Sequence, residues 1–220
     1  IENVSLKDAS VSGEKDVGGI VGAAEFSTIR NVSFSGEVHG DNTENVAGGI
    51  VGTLQRSTIE NAYHEGTVEG HKAVGGIVGY VVQSTVQNVR NAGKVIGNEM
   101  LGGIAGTVEE YSSVRNALQT GTVEQRTGQT DSQVGGVVGL LKDSTLSHAV
   151  WKEGSATNGS GALIRKGVGK EMGNTTVDDV KEHSLDDMKK AATYAGWGSD
   201  VATEGGKRTP WRIYDGKTMP

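Results

Sequence analysis

The chain has no cysteine among its 220 residues, which excludes disulfide bonds, thiol nucleophiles and cysteine zinc sites. Proline is also scarce, with 2 residues against 35 glycines, a balance that favours a β fold with tight corners. No apolar run approaches the roughly 20 residues that a membrane-spanning helix needs, and no signal peptide is recognisable. Positive charge is sparse as well: 21 scattered lysines and arginines face 27 acidic residues, which argues against nucleic acid as a partner.

The most prominent feature of the sequence is one short apolar string that occurs five times. It reads Gly-Gly-Ile-Val-Gly in three copies, and one residue is replaced in each of the other two. The first glycines of the copies are Gly18, Gly48, Gly75, Gly102 and Gly135. Self-similarity at such a spacing marks a stacked repeat protein, in which each unit buries its apolar face only against its neighbours.

Two further segments accompany the string. A hydroxyl pair followed by a branched residue begins at Ser27, Ser57, Ser84, Ser112 and Ser144. A Gly-x-Val-x-Gly segment comes next, beginning at Gly36, Gly66 and Gly93 and frayed at Gly121. No helical period appears before about residue 170, so each repeat supplies three short β-type runs. We therefore predict an all-β fold, a parallel β-helix or β-solenoid of about five to six coils.

The repeated glycines are expected to serve this fold in two ways. Glycine reaches positive φ at corners, and it lets the backbones of successive coils approach closely. Period-two alternation places the third residue of the string in the core. We expect these residues to form one inward column, made of Ile20, Ile50, Ile77, Ile104 and Val137.

An asparagine recurs two residues after the branched residue of the hydroxyl segment. Its copies are Asn31, Asn61, Asn88 and Asn116, and Asn3 precedes them in the same pattern. Alternation sends these side chains inward, where stacked amides can satisfy one another as a hydrogen-bonded structural ladder. A ligand site is the alternative interpretation.

Length variation between repeats is confined to the link that leads into each Gly-Gly pair. Insertions at one corner of a repeat map to one edge of the stack, so this corner is a candidate binding site for a host protein or glycan. Its candidate residues are Asp41, Asn42, Glu44, Arg126, Gln129 and Asp131. Calcium binding at residues 41–45 is an alternative, although the ligand spacing is missing.

The composition changes after about residue 150, where all three tryptophans lie. Ser184 is a candidate N-cap for a short helix, and a strand is predicted over residues 210–214. We predict a solenoid over residues 1–170 and, over residues 171–220, a small α+β cap packed on the last coil, which would otherwise expose apolar surface. The alternative makes the tryptophans a sugar-stacking platform.

No reaction is indicated by the residue pattern. The only His-Glu pair, His64-Glu65, lacks the second histidine of a metallopeptidase His-Glu-x-x-His helix. No Gly-x-Ser-x-Gly elbow or phosphate-binding loop is present. Glu37, Glu69 and Glu124 fall on one column of the Gly-x-Val-x-Gly segment, which a solvated face explains better than catalysis. We expect no catalytic residue, no metal site and no cofactor.

The Gly-Gly-Ile-Val-Gly units followed by Ser-Thr-Ile-x-Asn resemble the GLUG repeat of bacterial surface proteins. That repeat occurs in IgA-specific metallopeptidases of Gram-positive bacteria and in filamentous haemagglutinin-like adhesins. The resemblance covers residues 1 to about 150, and the tail from Met188 to Pro220 is similar to the segment that closes such arrays. It implies export, surface display and a repetitive β scaffold, without catalysis by the repeats themselves.

Three functional classes follow. We expect a non-catalytic stalk or adhesive scaffold of an exported bacterial protein, secreted or held at the cell surface and monomeric as a fragment. The alternatives are the substrate-positioning repeat region of an IgA-type peptidase and a carbohydrate-active β-helix. Because Ile1 lies inside a repeat, we expect the chain to be a piece of a longer protein that carries the export signals.

Overall fold

The computed structural model of the chain describes residues 1–128, 133–203 and 209–220. Within them the chain winds into a solenoid, and every strand pairing between its coils is parallel. The third of its sheets has six strands, one for each coil, so the predicted β-solenoid is confirmed with six coils. None of the described helices is long and apolar enough to cross a membrane.

The first sheet is the widest and collects the hydroxyl and Gly-x-Val-x-Gly segments. Its strands are Glu2–Gly13, Thr28–Gly40, Thr58–Glu69, Thr85–Asn91, Lys94–Gly97, Ser113–Gln119, Thr122–Gln125, Thr145–Lys152, Ala156–Thr157 and Thr176–His183. In register, Ile59 lies beside Val86 and Val86 beside Val114, so each coil repeats the inward pattern of the previous one.

Two narrower sheets flank the Gly-Gly bend. The second sheet contains Asp16–Gly18, Val46–Gly48, Ala73–Gly75, Met100–Gly102 and Gln133–Gly135. The third contains Val21–Glu25, Val51–Gln55, Val78–Val82, Ala105–Glu109, Val138–Lys142 and Val168–Met172. The repeated string is therefore not a strand of its own: it ends one strand, bends, and begins the next.

The third residue of the string faces the core at this bend, as predicted. Ile50, Ile77, Ile104 and Val137 are fully buried, and each backbone N–H of the first three donates to the carbonyl of the next member at 2.9 Å. Ile20 is half-buried because it belongs to the outermost coil. The inward column is thus confirmed.

The glycines of the string are required by close approach, not by a left-handed backbone. None of those in the described coils has a positive φ; among the repeated glycines, Gly36 and Gly66 of the Gly-x-Val-x-Gly segment adopt it, with φ of 140° and 136°. A Cβ at Gly49 would overlap the Gly76 carbonyl oxygen of the next coil and the ring of His64 in its own coil. A Cβ at Gly52 would lie 2.6 Å from the backbone nitrogen of Val17. The string is glycine-rich because backbones meet there without room for side chains.

The solenoid continues beyond the predicted boundary at residue 170. Strands Val168–Met172 and Thr176–His183 extend the third and first sheets, so the coils end at His183. The predicted helix from Ser184 is a pair of 3-10 segments, Asp187–Lys189 and Ala191–Asp200. The Ser184 hydroxyl accepts the Asp187 N–H at 3.1 Å, but Gly198, with φ of 60°, breaks the second segment.

Where it is described, the tail packs against the side of the solenoid and not over the open end of the last coil. Strands Val201–Ala202 and Trp211–Arg212 form a small parallel pair of their own. The tail shares one apolar cluster with two outward residues of the first sheet; its members are Leu118, Val150, Met188, Tyr194, Trp197, Trp211 and Ile213. A cavity of about 360 Å³ at the end of the stack is lined by Trp151, Val168 and Val177, and by no described tail residue. The predicted cap position is therefore wrong.

Replacing Gly49 with alanine tests the steric requirement at the bend. We expect Gly49→Ala to destabilise the fold by an amount at the upper end of about 1–3 kcal/mol, because the added methyl group meets backbone that cannot move aside. Denaturant unfolding followed by circular dichroism gives the change.

Gly13→Ala is the matched control, since its Cβ would meet only the Val17 side chain, at 3.3 Å and beyond. It should unfold at close to the parent denaturant concentration. Equal stability of the two variants would contradict the close-approach argument.

Candidate functional site

The asparagine column lies at a bend inside the long strands of the first sheet. Asn31, Asn61, Asn88 and Asn116 have φ of 54°, 57°, 55° and 51°, in the left-handed region that asparagine tolerates better than most residues. Strand alternation stops at this bend, so Ile29 and Val32 both face the core while Asn31 is exposed. The predicted inward orientation of the column is therefore wrong.

The amides nevertheless join coil to coil on the outer surface. Asn31 Nδ2 donates to Asn3 Oδ1, Asn61 Nδ2 to Asn31 Oδ1, and Asn116 Nδ2 to Asn88 Oδ1, each at 3.0 Å. The ladder is interrupted after Asn61, whose Oδ1 is buried without a hydrogen-bond partner among the described residues, and in the next coil Trp211 Nε1 of the tail donates to Asn88 Oδ1 at 3.2 Å. The ladder residues thus hold coils together and, in the middle of the stack, hold the tail.

A second polar column, missed from the sequence, is buried. The backbone N–H groups of Ser57, Ser84 and Ser112 each donate to the serine Oγ of the next coil at 2.9–3.1 Å. Ser84 Oγ in turn donates to the Val82 carbonyl at 2.7 Å. Each serine follows a left-handed residue such as Gln83, whose φ is 49°. The constant serine in the hydroxyl pair was the available signal, and its role here is structural.

The variable corner brings together only part of the predicted set. Asp41 and Asn42 are exposed, and Glu44 forms an ion pair with Lys72 of the next coil. Gln129 and Asp131 lie outside the described residues. As a partner-binding site, the corner stays a prediction.

Arg126 of the same corner forms hydrogen bonds with two earlier coils. Its guanidinium donates to the Gly70 carbonyl at 2.5 Å, to Asn98 Oδ1 at 3.0 Å and to Glu69 Oε1 at 2.6 Å. The hydrogen bond that Arg126 donates to Glu69 lowers the pKa of the Glu69 carboxyl group. Glu69 also lies 3.3 Å from His39, which is its register partner in the preceding coil. The register partner of Glu37 is Thr67, so Glu37 and Glu69 do not lie in one column. These contacts make Arg126 a structural tie between coils.

A mixed column fills the core beside the second glycine of each string. Its members are Phe34, His64, Asn91, Gln119 and Trp151, consecutive in register. His64 is fully buried, its Nδ1 lies 2.7 Å from Asn91 Oδ1, and its ring stacks on Phe34 with centroids 6.1 Å apart. Burial lowers the pKa of His64, so the imidazole is neutral in the folded protein.

The tryptophans are not available as a sugar-stacking platform. Trp151, Trp197 and Trp211 are each at most 6% exposed. Trp197 packs edge-on against Tyr194 and Trp211, with centroids 5.0 and 5.1 Å apart. The platform alternative is therefore wrong, because the rings are used in packing.

A lengthwise groove lies outside the bend between the second and third sheets. One wall is the column Asp16, Val46, Ala73 and Met100, and the other is Ala23, Thr53, Tyr80 and Thr107. The walls touch where Thr53 Oγ1 donates to Asp16 Oδ1 at 2.5 Å. The cavity volume is about 680 Å³. Within the described ranges, no group of three or more histidine, aspartate or glutamate side chains could hold a metal ion.

One family description matches the chain, that of the GLUG motif, over residues 13–38. These residues are a GLUG repeat. In the structure the match spans strands Asp16–Gly18 and Val21–Glu25 and most of Thr28–Gly40, which is one complete coil. The coils that begin at Gly48, Gly75 and Gly102 repeat its three segments, so in this part of the chain one repeat corresponds to one solenoid coil. Among curated proteins, none matches the chain significantly.

Asn31 tests whether the GLUG asparagine is needed for its backbone or for its amide. Asn31→Ala should destabilise more than Asn31→Gly, by about 1–2 kcal/mol, because only glycine adopts the left-handed conformation without cost. Urea unfolding of both variants measures this difference. Equal losses would assign the stabilisation to the amide hydrogen bonds alone.

His64 makes the stability of the solenoid depend on pH. Its folded-state pKa is lowered, so as pH falls through about 6.5 the unfolded chain takes up a proton that the folded protein does not. We expect the contribution of His64 to be complete above that pH and to decline below it. Thermal melts from pH 8 to 5 measure the loss.

His64→Phe, which extends the Phe34 stack, should flatten this part of the profile. His148→Asn, which restores the asparagine of the other repeats, is the control for removing a histidine and should keep the decline that His64 causes. A His64→Phe profile that overlays the parent would contradict the assignment.

Proposed function

We propose that this chain is a non-catalytic repeat module, a stalk or adhesive scaffold, of an exported bacterial surface protein. The observation that carries the proposal is the use of the repeated polar residues. The asparagine and serine columns bind coil to coil, and Arg126 ties three coils together. A unit whose repeated polar residues serve stacking is suited to extending reach, because further coils add length without a new core.

The side faces support an adhesive role better than the ends do. Each coil adds a strip of outward residues at fixed spacing, about 4.8 Å from the next, so a partner can contact several coils at once. At the variable corner, Asp41 and Asn42 project from the stack without joining the inter-coil ties made by Arg126. Loops at such a corner can change in sequence while the ladder is preserved.

Location at the bacterial surface is supported by the GLUG repeat alone and is part of the same proposal. The substrate-positioning region of an IgA-type peptidase is a related role, because it needs the same scaffold beside a catalytic domain. Binding of IgA without cleavage would favour that role over a general stalk.

Incubation of the purified chain with IgA, casein and common polysaccharides, with and without divalent metal, tests the absence of catalysis. We expect no cleavage in any condition, since the sequence contains neither a His-Glu-x-x-His nor a Gly-x-Ser-x-Gly motif. Reproducible cleavage that a single histidine or glutamate substitution abolishes would overturn it. Antibodies against the chain should also label intact, unpermeabilised source cells.

A further inference from the structure

From the geometry of the lengthwise groove we infer a binding site for a linear, neutral oligosaccharide that lies along the solenoid axis. The groove crosses four coils, from Asp16 and Ala23 to Met100 and Thr107. Three steps between coils span about 14 Å, roughly the length of three sugar rings. At the end nearest the later coils Thr107 is 1% exposed and its hydroxyl donates to Met100 Sδ at 3.2 Å, so the two walls meet there.

The groove is built into the repeat by glycine. The last glycine of each string lies at the foot of the bend, where a Cβ at Gly106 would be 2.5 Å from the Val74 backbone nitrogen. Because these positions carry no side chain, the second and third sheets meet at a sharp angle and their outward columns face each other. The concave surface therefore follows from the same residues that define the coil.

The polar groups of the groove suit hydroxyl groups that both donate and accept. Asp16, Glu44 and Glu109 supply carboxylate oxygens and Gln55 an amide. Lys15 and Lys72 supply ammonium groups, and Lys72 is paired with Glu44. The two signs are mixed, which favours a neutral ligand over a polyanion or a polycation. Few fixed polar groups around an apolar floor are typical of small-molecule and sugar-sized sites.

Tyr80 supplies the aromatic surface at the centre of the groove. It is half-buried, with Thr53 and Thr107 beside it in register. Its pKa is raised, first by burial and then by Glu109 and Glu110, so the hydroxyl stays protonated and can donate. The ring face gives a sugar ring an apolar platform, and the hydroxyl at its edge gives a polar contact.

An extended peptide is a poorer occupant of this groove. The strands Val46–Gly48 and Val51–Gln55 on its walls pair with a strand on both sides, so their backbone groups are already bonded. Strand addition needs a free sheet edge, and a peptide lying along the axis would leave its own backbone N–H and C=O groups unpaired. Sugar hydroxyls can use the side chains instead.

The test is titration calorimetry of the whole chain with cello-, manno-, malto- and chito-oligosaccharides of one to six rings. At least one series should bind, with affinity rising to about three rings and then levelling off. Tyr80→Ala should weaken that binding by about tenfold or more, and Tyr80→Phe should retain most of it. Tyr111→Ala, which removes an 89% exposed tyrosine outside the groove, is the matched control and should bind like the parent.

Unchanged thermal melts of Tyr80→Ala would show that lost binding is not lost folding. Absence of binding across all four series, equal loss in the Tyr80 and Tyr111 variants, or affinity for single sugars equal to that for trimers would overturn the inference. Binding without cleavage leaves the scaffold proposal intact, so the two proposals fail in different experiments.

Discussion

Contact between the backbones of successive coils at the Gly-Gly bend is the constraint on which the rest of this structure depends. The first glycine of each string meets backbone of its own string and of the next coil, and in the first four copies the second meets the next coil's carbonyl and a core side chain. From the second copy onward, the third meets a strand of the second sheet in the preceding coil. Any side chain there would push coils apart and break the parallel ladder. The repeat is therefore defined by absent side chains more than by present ones.

Polar residues then fix the register that the glycines permit. Asparagine turns the first sheet by adopting a left-handed conformation, and its amide reaches the next coil on the outside. Serine performs the equivalent task inside, where a buried N–H group would otherwise be unpaired. The core can consequently accept residues as different as Phe34, His64 and Gln119 at one position, because alignment of the coils does not rely on that column.

Sequence reasoning predicted the solenoid and the Ile50 column because both depend on a period that the chain repeats five times. It misplaced Asn31 because strict alternation cannot reveal a left-handed bend within a strand. It missed the column containing His64, whose members share no residue type, and the groove, which depends on the angle between two sheets. A short helix and a strand were predicted for the tail, which has 3-10 segments and a strand but packs on a different face of the stack. Nothing local in Trp197 or Trp211 specifies which face these side chains cover.

The attachment of Trp211 to Asn88 has a consequence for how such an array can change in length. Met188, Trp197 and Trp211 pack on Leu118 and Val150, Arg90 donates to the Pro220 carbonyl at 3.0 Å, and Asp200 accepts from Asn116. The tail thus contacts several successive coils near the carboxyl end at the same time. Duplication or loss of a coil among these would separate these anchors, whereas gain or loss before Asn61 would leave them in place. Coils could therefore be added on the amino-terminal side of these anchors without disturbing the contacts of the tail.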